Sequence, residues 1–186
     1  MNSFAELVSK RRSVRKYTEE KLTSDQVEQI MKAALMAPSS KHCNSWEFIL
    51  IEDKEILNQL AHSKPTGGNF IADCALAIVV LGDVTKSGAV VEDTSIAATY
   101  IQLQVEDLGL GSCWVQIKGR QTVAGQESEE YVRLLLDIPY QFSVGCIIAI
   151  GNKIKPSRPF DENSLQWEKV HIGKYNNLLG QSESKA

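Results

Sequence analysis

Three guanidiniums and a hydroxyl fall within five residues at Arg11-Arg12-Ser13-Val14-Arg15. A second run of small hydroxyl residues opens at Ala37-Pro38-Ser39-Ser40. The planar fork of arginine gives bidentate, charge-assisted hydrogen bonds to phosphate oxygens. In a chain of net charge −3, that much positive charge in one place suits a single anion, with a phosphate the first choice. Arginines at a helix end also complement the helix dipole while binding nothing. The run is therefore decided by what accompanies it.

The elements that must position these residues can be read from their caps and periods. Ser3-x-x-Glu6 is a capping box ahead of Phe4, Leu7 and Val8, so a short helix delivers the chain into the arginine run. Thr23-x-x-Gln26 starts a second helix, with Val27, Ile30, Met31, Ala34 and Leu35 at helical spacing up to Pro38. Glu47 to Ile51 reads as a strand, and Asp53 caps a helix carrying Ile56, Leu57 and Leu60. The apolar run from Ala75 to Leu81 predicts a strand covered on both faces. The longest helix spans Glu92 to Leu108 and bears two adjacent stripes, Ile96-Tyr100-Leu103 and Ala97-Ile101-Val105-Leu108. Two stripes imply burial on more than one side, as against a partner subunit. Gly109-Leu110-Gly111 ends that helix and leads into a strand from Ser112 to Ile117. A helix from Glu127 to Leu136 and a strand from Ser143 to Ile150 complete a core of residues 1–152. Residues 153–186 read as a C-terminal extension of the same domain. Phe160, Trp167 and Tyr175 there have no helix period, which predicts packing along another surface, that of a second chain included.

Composition bounds the function. At 186 residues and 43% hydrophobic, the chain makes one domain with a real core. Basic and acidic side chains nearly balance, 20 against 23, which argues against a nucleic-acid partner. No run approaches the ~20 apolar residues of a membrane span. Cys43, Cys74, Cys113 and Cys146 are widely spaced, three of them in or beside apolar runs, as reduced buried cysteines are. The expectation is a cytoplasmic protein.

Four motifs, in this order, carry a resemblance. They are Arg11-Arg12-Ser13-Val14-Arg15; Ala37-Pro38-Ser39-Ser40 with Trp46; Gly109-Leu110-Gly111-Ser112-Cys113-Trp114; and Gly151-Asn152-Lys153 with Arg158. Together they resemble the FMN-dependent nitroreductase family over nearly the whole chain. The resemblance implies an α+β, three-layer fold with a central, mostly antiparallel sheet flanked by helices. It also implies a homodimer, with the long helix at the interface and a C-terminal arm embracing the partner. By position, Arg11, Arg12 and Ser13 would hold the FMN phosphate, with Arg158 sharing it and Lys155 helping. Arg15 would lie nearer the pyrimidine edge, while Pro38, Ser39 and Ser40 would line the flavin from the other subunit. The strand at Trp114 and Val115 would bring backbone N–H groups to the ring. Where the family commonly has Asn-x-Gln-Pro-Trp, this chain has His42-Cys43-Asn44-Ser45-Trp46. Asn44 keeps an amide for a ribityl hydroxyl or ring carbonyl. His42, and Tyr100 in place of a helix asparagine, bear on substrate preference.

The implied activity passes hydride from NADH or NADPH through flavin N5 to a nitroaromatic, quinone or similar acceptor, by a ping-pong mechanism. The alternatives within reach are a flavin-binding or regulatory dimer with little turnover, and family offshoots acting on flavin or halogenated aromatics. His42, His62 and His171 are too scattered for a metal site. Thr66-Gly67-Gly68-Asn69 lacks the strand–turn–helix setting of a dinucleotide fingerprint and reads as a loop near the pocket mouth.

Overall fold

The computed structural model of the protein describes residues 3–176. Both capping boxes form. Ser3 and Glu6 exchange side-chain and backbone bonds at the start of α1 (Phe4–Lys10), and Thr23 and Gln26 do the same for α2 (Ser24–Leu35). Asp53 caps α3 (Lys54–Ala61) through the N–H groups of Glu55 and Ile56, at 2.9 and 3.0 Å.

Four strands, β1 (Trp46–Ile51), β2 (Leu76–Asp83), β3 (Gly111–Gln116) and β4 (Phe142–Gly151), make one sheet in the order β1-β2-β4-β3. Every neighbouring pair is antiparallel. β2 is buried along its whole length, because alternate residues face two separate cores. Ile78 and Val80 meet α2 and α4 (Val90–Asp107) through Ile30, Ala34, Ala98, Ile101 and Val105. Val79 and Leu81 face Leu57 and Leu60 of α3 and Val132 of α5 (Ser128–Leu135). Helices thus cover both faces, giving the expected α+β layers.

α4 starts two residues before and ends one residue before the span expected from sequence, and its two stripes part company. Ala97, Ile101 and Val105 are fully buried against the sheet, whereas Ile96 and Tyr100 stay 37% and 39% exposed in the single chain. Among the described residues no helix is long and apolar enough to cross a membrane.

One end of the sheet is shaped by two missing side chains. Gly111 and Gly151 sit opposite each other in the β3–β4 ladder. A Cβ on Gly111 would lie 2.8 Å from Val14 Cγ1 and 3.0 Å from Lys153 Cγ, and one on Gly151 would lie 2.8 Å from Tyr17 Cδ1. The segment carrying the arginines crosses in that space. Val14 N–H donates to the Ser112 carbonyl at 2.9 Å, and Tyr17 O–H donates to the Val14 carbonyl at 2.6 Å. Ser13 bridges Ser112 in parallel, and Tyr17 bridges Lys153 antiparallel. Lys153 itself is locked to Glu106 of α4 by a largely buried ion pair at 2.7 Å. Gly111→Ala or Gly151→Ala should cost about 1–3 kcal/mol by overpacking, while Gly88→Ala, which meets nothing within 4 Å, should cost little. Denaturant unfolding of the three variants measures the contrast; equal costs would mean that the crossing segment yields freely.

Candidate functional site

Alternation along the extended segment after α1 sorts its arginines. Arg11, Ser13 and Arg15 gather near the buried thiol of Cys113 on β3. Burial pushes that thiol up, while Arg15, the Ser13 hydroxyl, Arg11 and Lys64 all pull the other way. The Arg15 guanidinium also lies over the Phe70 ring at 5.8 Å. Arg12 turns toward the C-terminal segment, stacking on Phe160 at 5.1 Å and donating through Nη1 to the Arg11 carbonyl. Its Nη2 is buried with no hydrogen-bond partner. The Phe160 N–H closes this arrangement on the Ser9 carbonyl at 2.8 Å.

Arg12, Ser13, Arg15, Lys155 and Arg158 line one cavity of about 900 Å³. The structure therefore brings the C-terminal cations to the N-terminal ones. Arg11 lines an adjoining cavity of about 500 Å³ with Phe4, Gln102 and Trp114, and Ser13 belongs to both. Arg158 thus shares its cavity with Arg12, and Arg11 stands on the far side of Ser13. None of Arg11, Arg12, Arg15, Lys155 and Arg158 is ion-paired to a carboxylate among the described residues. Solitary unpaired cations are ordinary at a surface. These five line two cavities that meet at Ser13, with Lys16 and the Asp161 carboxylate also on the wall of the larger, and the excess of positive charge suits an anion.

β3 is the outermost strand of the sheet, and beyond the Ser13 bridge its outer edge has no partner strand among the described residues. Val115 is fully buried, backbone included; the Ser112 carbonyl faces outward to Val14, so alternation turns Val115 toward β4 and leaves Trp114 on the outer edge. Trp114 is half-buried, and its indole N–H donates to Gln116 Oε1 at 3.0 Å.

Pro38, Ser39, Ser40 and Asn44 form a second cluster that lines neither of these two cavities in the single chain. Both ends of their loop are packed on α4, where Ala37 and Trp46 meet Ala97. Between them Lys41, His42 and Asn44 take left-handed conformations, with φ of 49°, 56° and 47°. For residues with a Cβ that costs roughly 1–2 kcal/mol each, so something must hold the loop. Ser39 Oγ accepts from the Asn44 N–H at 2.9 Å and donates to Asn44 Oδ1 at 3.1 Å. The Ser40 N–H donates to Asp93 Oδ1 at 2.7 Å. Asp93, one turn before Ala97 on α4, is only 1% exposed. Its Oδ2 accepts the hydroxyls of Ser45 and Ser87, each at 2.8 Å, and the Cys43 thiol at 3.7 Å. Burial alone would raise this carboxyl, but its donors outweigh that and hold it below the usual range.

Two participants escaped the sequence reading. Asp93 looked like an ordinary acidic residue near a helix start; its donors lie on segments up to some fifty residues away. Lys64 had a weak signal, as the one cation beside the Thr66–Asn69 turn. Partial burial lowers its ammonium, as does neighbouring Arg120, with which it lines a cavity of about 510 Å³.

Residues 8–65 and 62–152 match the model of the Nitroreductase family, and the chain belongs to that family. The matched residues include the arginine segment and the Pro38–Asn44 loop but stop short of Lys155 and Arg158. An FMN-dependent nitroreductase from Clostridium difficile R20291 has the same fold. It superposes at a TM-score of 0.90 with 41% identity, over 92% of this chain and 100% of that one. A relative from Archaeoglobus fulgidus, provisionally named NADH dehydrogenase/NAD(P)H nitroreductase, is 31% identical over 155 residues, 81% of this chain and 86% of its own. An FMN reductase (NADPH) from Bacillus subtilis (strain 168) is 28% identical over 135 residues, 62% of this chain and 54% of its own.

Proposed function

We propose that the protein is an FMN-dependent NAD(P)H oxidoreductase, working as a homodimer and reducing an electron-poor acceptor such as a nitroaromatic or quinone. The observation that carries this reading is the set of five cations, none ion-paired among the described residues, that line the two cavities meeting at Ser13. The group fits. A phosphate monoester carries about −1.5 to −2 charges near neutral pH, and the buried, partnerless Arg12 Nη2 supplies a donor in want of an acceptor. FMN, when bound, supplies hydride uptake from NADH or NADPH and its delivery to the acceptor.

The chain's own residues do the rest. Arg11, Arg12 and Ser13, with Lys155 and Arg158, hold the phosphate. The outer edge of β3 offers the ring a backbone donor at Trp114, with Val115 buried behind it as part of the strand's support. Pro38, Ser39, Ser40 and Asn44 cover the ring from the second copy, which accounts for their distance from the cations within one chain. Arg15, over Phe70, keeps a positive charge beside the ring. The redox step asks for no protein acid or base.

The purified protein should be yellow and should bleach when NADH is added without air. Colour that persists would leave a flavin binder without turnover, and failure to take up added FMN would sink the reading. Arg15→Gln should keep FMN affinity within a few-fold and lower the flavin's reduction potential. The reduced flavin is the more anionic form, so losing its counter-charge disfavours it. An interaction of about 1.4 kcal/mol corresponds to roughly 30 mV for a two-electron couple. Reductive titration against a dye of known potential reads the shift; FMN lost at unchanged potential would place Arg15 at the phosphate.

A further inference from the structure

We propose that Asp93 is a positioning residue for FMN, a role it performs for the flavin of the partner subunit. The proposal rests on the reading above that the Pro38–Asn44 loop covers a flavin held by the other copy.

The geometry gives Asp93 a task that a general contribution to stability does not explain. A carboxylate is acceptor-only and can take several donors at once. Asp93 uses that capacity on four donors from three places: the Ser40 N–H and Cys43 thiol of the loop, the Ser45 hydroxyl where the loop meets β1, and the Ser87 hydroxyl ahead of α4. A buried charge is ordinarily matched by a cation, yet Asp93 has no ion pair among the described residues. Its charge is spread over neutral donors, and three of the four belong to the loop or its end. The bond to Ser40 immediately precedes the left-handed pair Lys41 and His42. The two Ser39–Asn44 bonds close the loop on itself, but without Asp93 the closed loop loses its tie to α4, and Ser39, Ser40 and Asn44 lose their orientation relative to the rest of the protein. The packing of Ala37 and Trp46 on Ala97 fixes only the two ends. Asp93 ties the middle to α4.

Two substitutions separate this role from simple stability. Asp93→Asn keeps an acceptor for the Ser40 N–H but turns the other atom into a donor, to which the Ser45 and Ser87 hydroxyls can reorient. Asp93→Ala leaves all four donors unmatched. Loss of buried hydrogen bonds to a charged group predicts FMN binding weaker by about threefold in Asp93→Asn and at least tenfold in Asp93→Ala, read by flavin fluorescence well below the melting temperature. Amide hydrogen exchange over residues 38–45, measured without flavin, should accelerate in both variants while β2 and β4 stay protected. If Asp93→Ala does not fold, Asp93→Asn still decides: unchanged affinity together with unchanged exchange overturns the proposal. A lowered melting temperature with unaltered FMN affinity would also overturn it, leaving Asp93 a stabiliser alone. Should wild type itself bind no FMN, the functional reading fails, and the exchange measurement still reports whether Asp93 holds the loop.

The action across the interface is read from a mixed dimer of one Asp93→Ala chain and one Arg158→Ala chain, bearing different tags. If loop and cations from opposite chains meet at one flavin, one of its two sites combines an intact loop with intact cations and binds FMN as wild type does. If they serve the same chain, both sites are defective. A titration with no wild-type-affinity site would overturn the trans role.

Discussion

Alanine at Arg158 should weaken FMN binding at least tenfold while leaving riboflavin binding nearly unchanged. A hydrogen bond to a charged group is worth about 1.5–3 kcal/mol, and riboflavin lacks the phosphate at which Arg158 is expected to act. Arg12→Ala and Arg11→Ala should behave alike, since each residue lines a cavity with Ser13 and has no ion pair to a carboxylate among the described residues. Groups that share one ligand are non-additive, with coupling of about 0.5–3 kcal/mol in a double-mutant cycle. The cycle of Arg12 with Arg158 should show the larger coupling, because these two line the same cavity. The cycle of Arg11 with Arg158 should show it too if the phosphate lies across Ser13, as the sequence resemblance implies. Simple additivity in both cycles, or riboflavin suffering as much as FMN, would dismiss a shared phosphate.

Ending the chain after Asp161 should produce a protein that keeps its sheet and its phosphate cations yet dissociates or precipitates, with FMN affinity down at least tenfold. This truncation retains Arg158 and the Phe160 stack, so a loss cannot be ascribed to either. What it removes is apolar surface that the single chain leaves bare. Trp167 is 59% exposed, and Leu165, Val170, Ile172 and Tyr175 are exposed as well. Ile96 and Tyr100 on α4 and Phe4 and Val8 on α1 offer a matching bare face. Surfaces of this kind on a monomer favour association. Sedimentation of the truncated protein at several concentrations, with flavin fluorescence alongside, checks both parts. A soluble monomer that still binds FMN as the full chain does would refute the embrace.

Much of this architecture was open to inspection in the sequence, because it is set by local rules. Ser3 with Glu6, Thr23 with Gln26, and Asp53 each satisfy helix N–H groups within three residues, so caps can be read without tertiary knowledge. The apolar run from Ala75 to Leu81 read as a strand covered on both faces, and β2 is; β4, read only as a strand, is buried nearly throughout as well. The double stripe on α4 pointed to burial on two sides; in the single chain one stripe meets the core while Ile96 and Tyr100 of the other stay partly exposed. The site was legible only as order and spacing of motifs, and the physical reasons behind two of them were not. Gly111 and Gly151 looked like turn residues; their task is to leave room for Val14 and Tyr17, which are remote in sequence. Asp93 draws its partners from segments that only the fold brings together. Alternation on an extended segment separates Arg12 from Arg11 and Arg15, but nothing local named their neighbours, Phe160 for the one and Cys113 for the others.

The paired glycines also impose an order in time. The arginine segment docks on a finished β3–β4 ladder, and its bridges to Ser112 and Lys153 span roughly a hundred residues or more of chain. Closing loops of that length costs conformational entropy before any contact offsets it, whereas the sheet itself closes over shorter spans, from Ile51 with Ala77 to Leu76 with Ile150. On the ribosome Ser13 is made early yet must wait for nearly the whole core, through Lys153, before it has a surface to lie on. The anion site is therefore a late product of folding, and a half-synthesised chain holds its arginines loose in solvent with nothing yet to aim them.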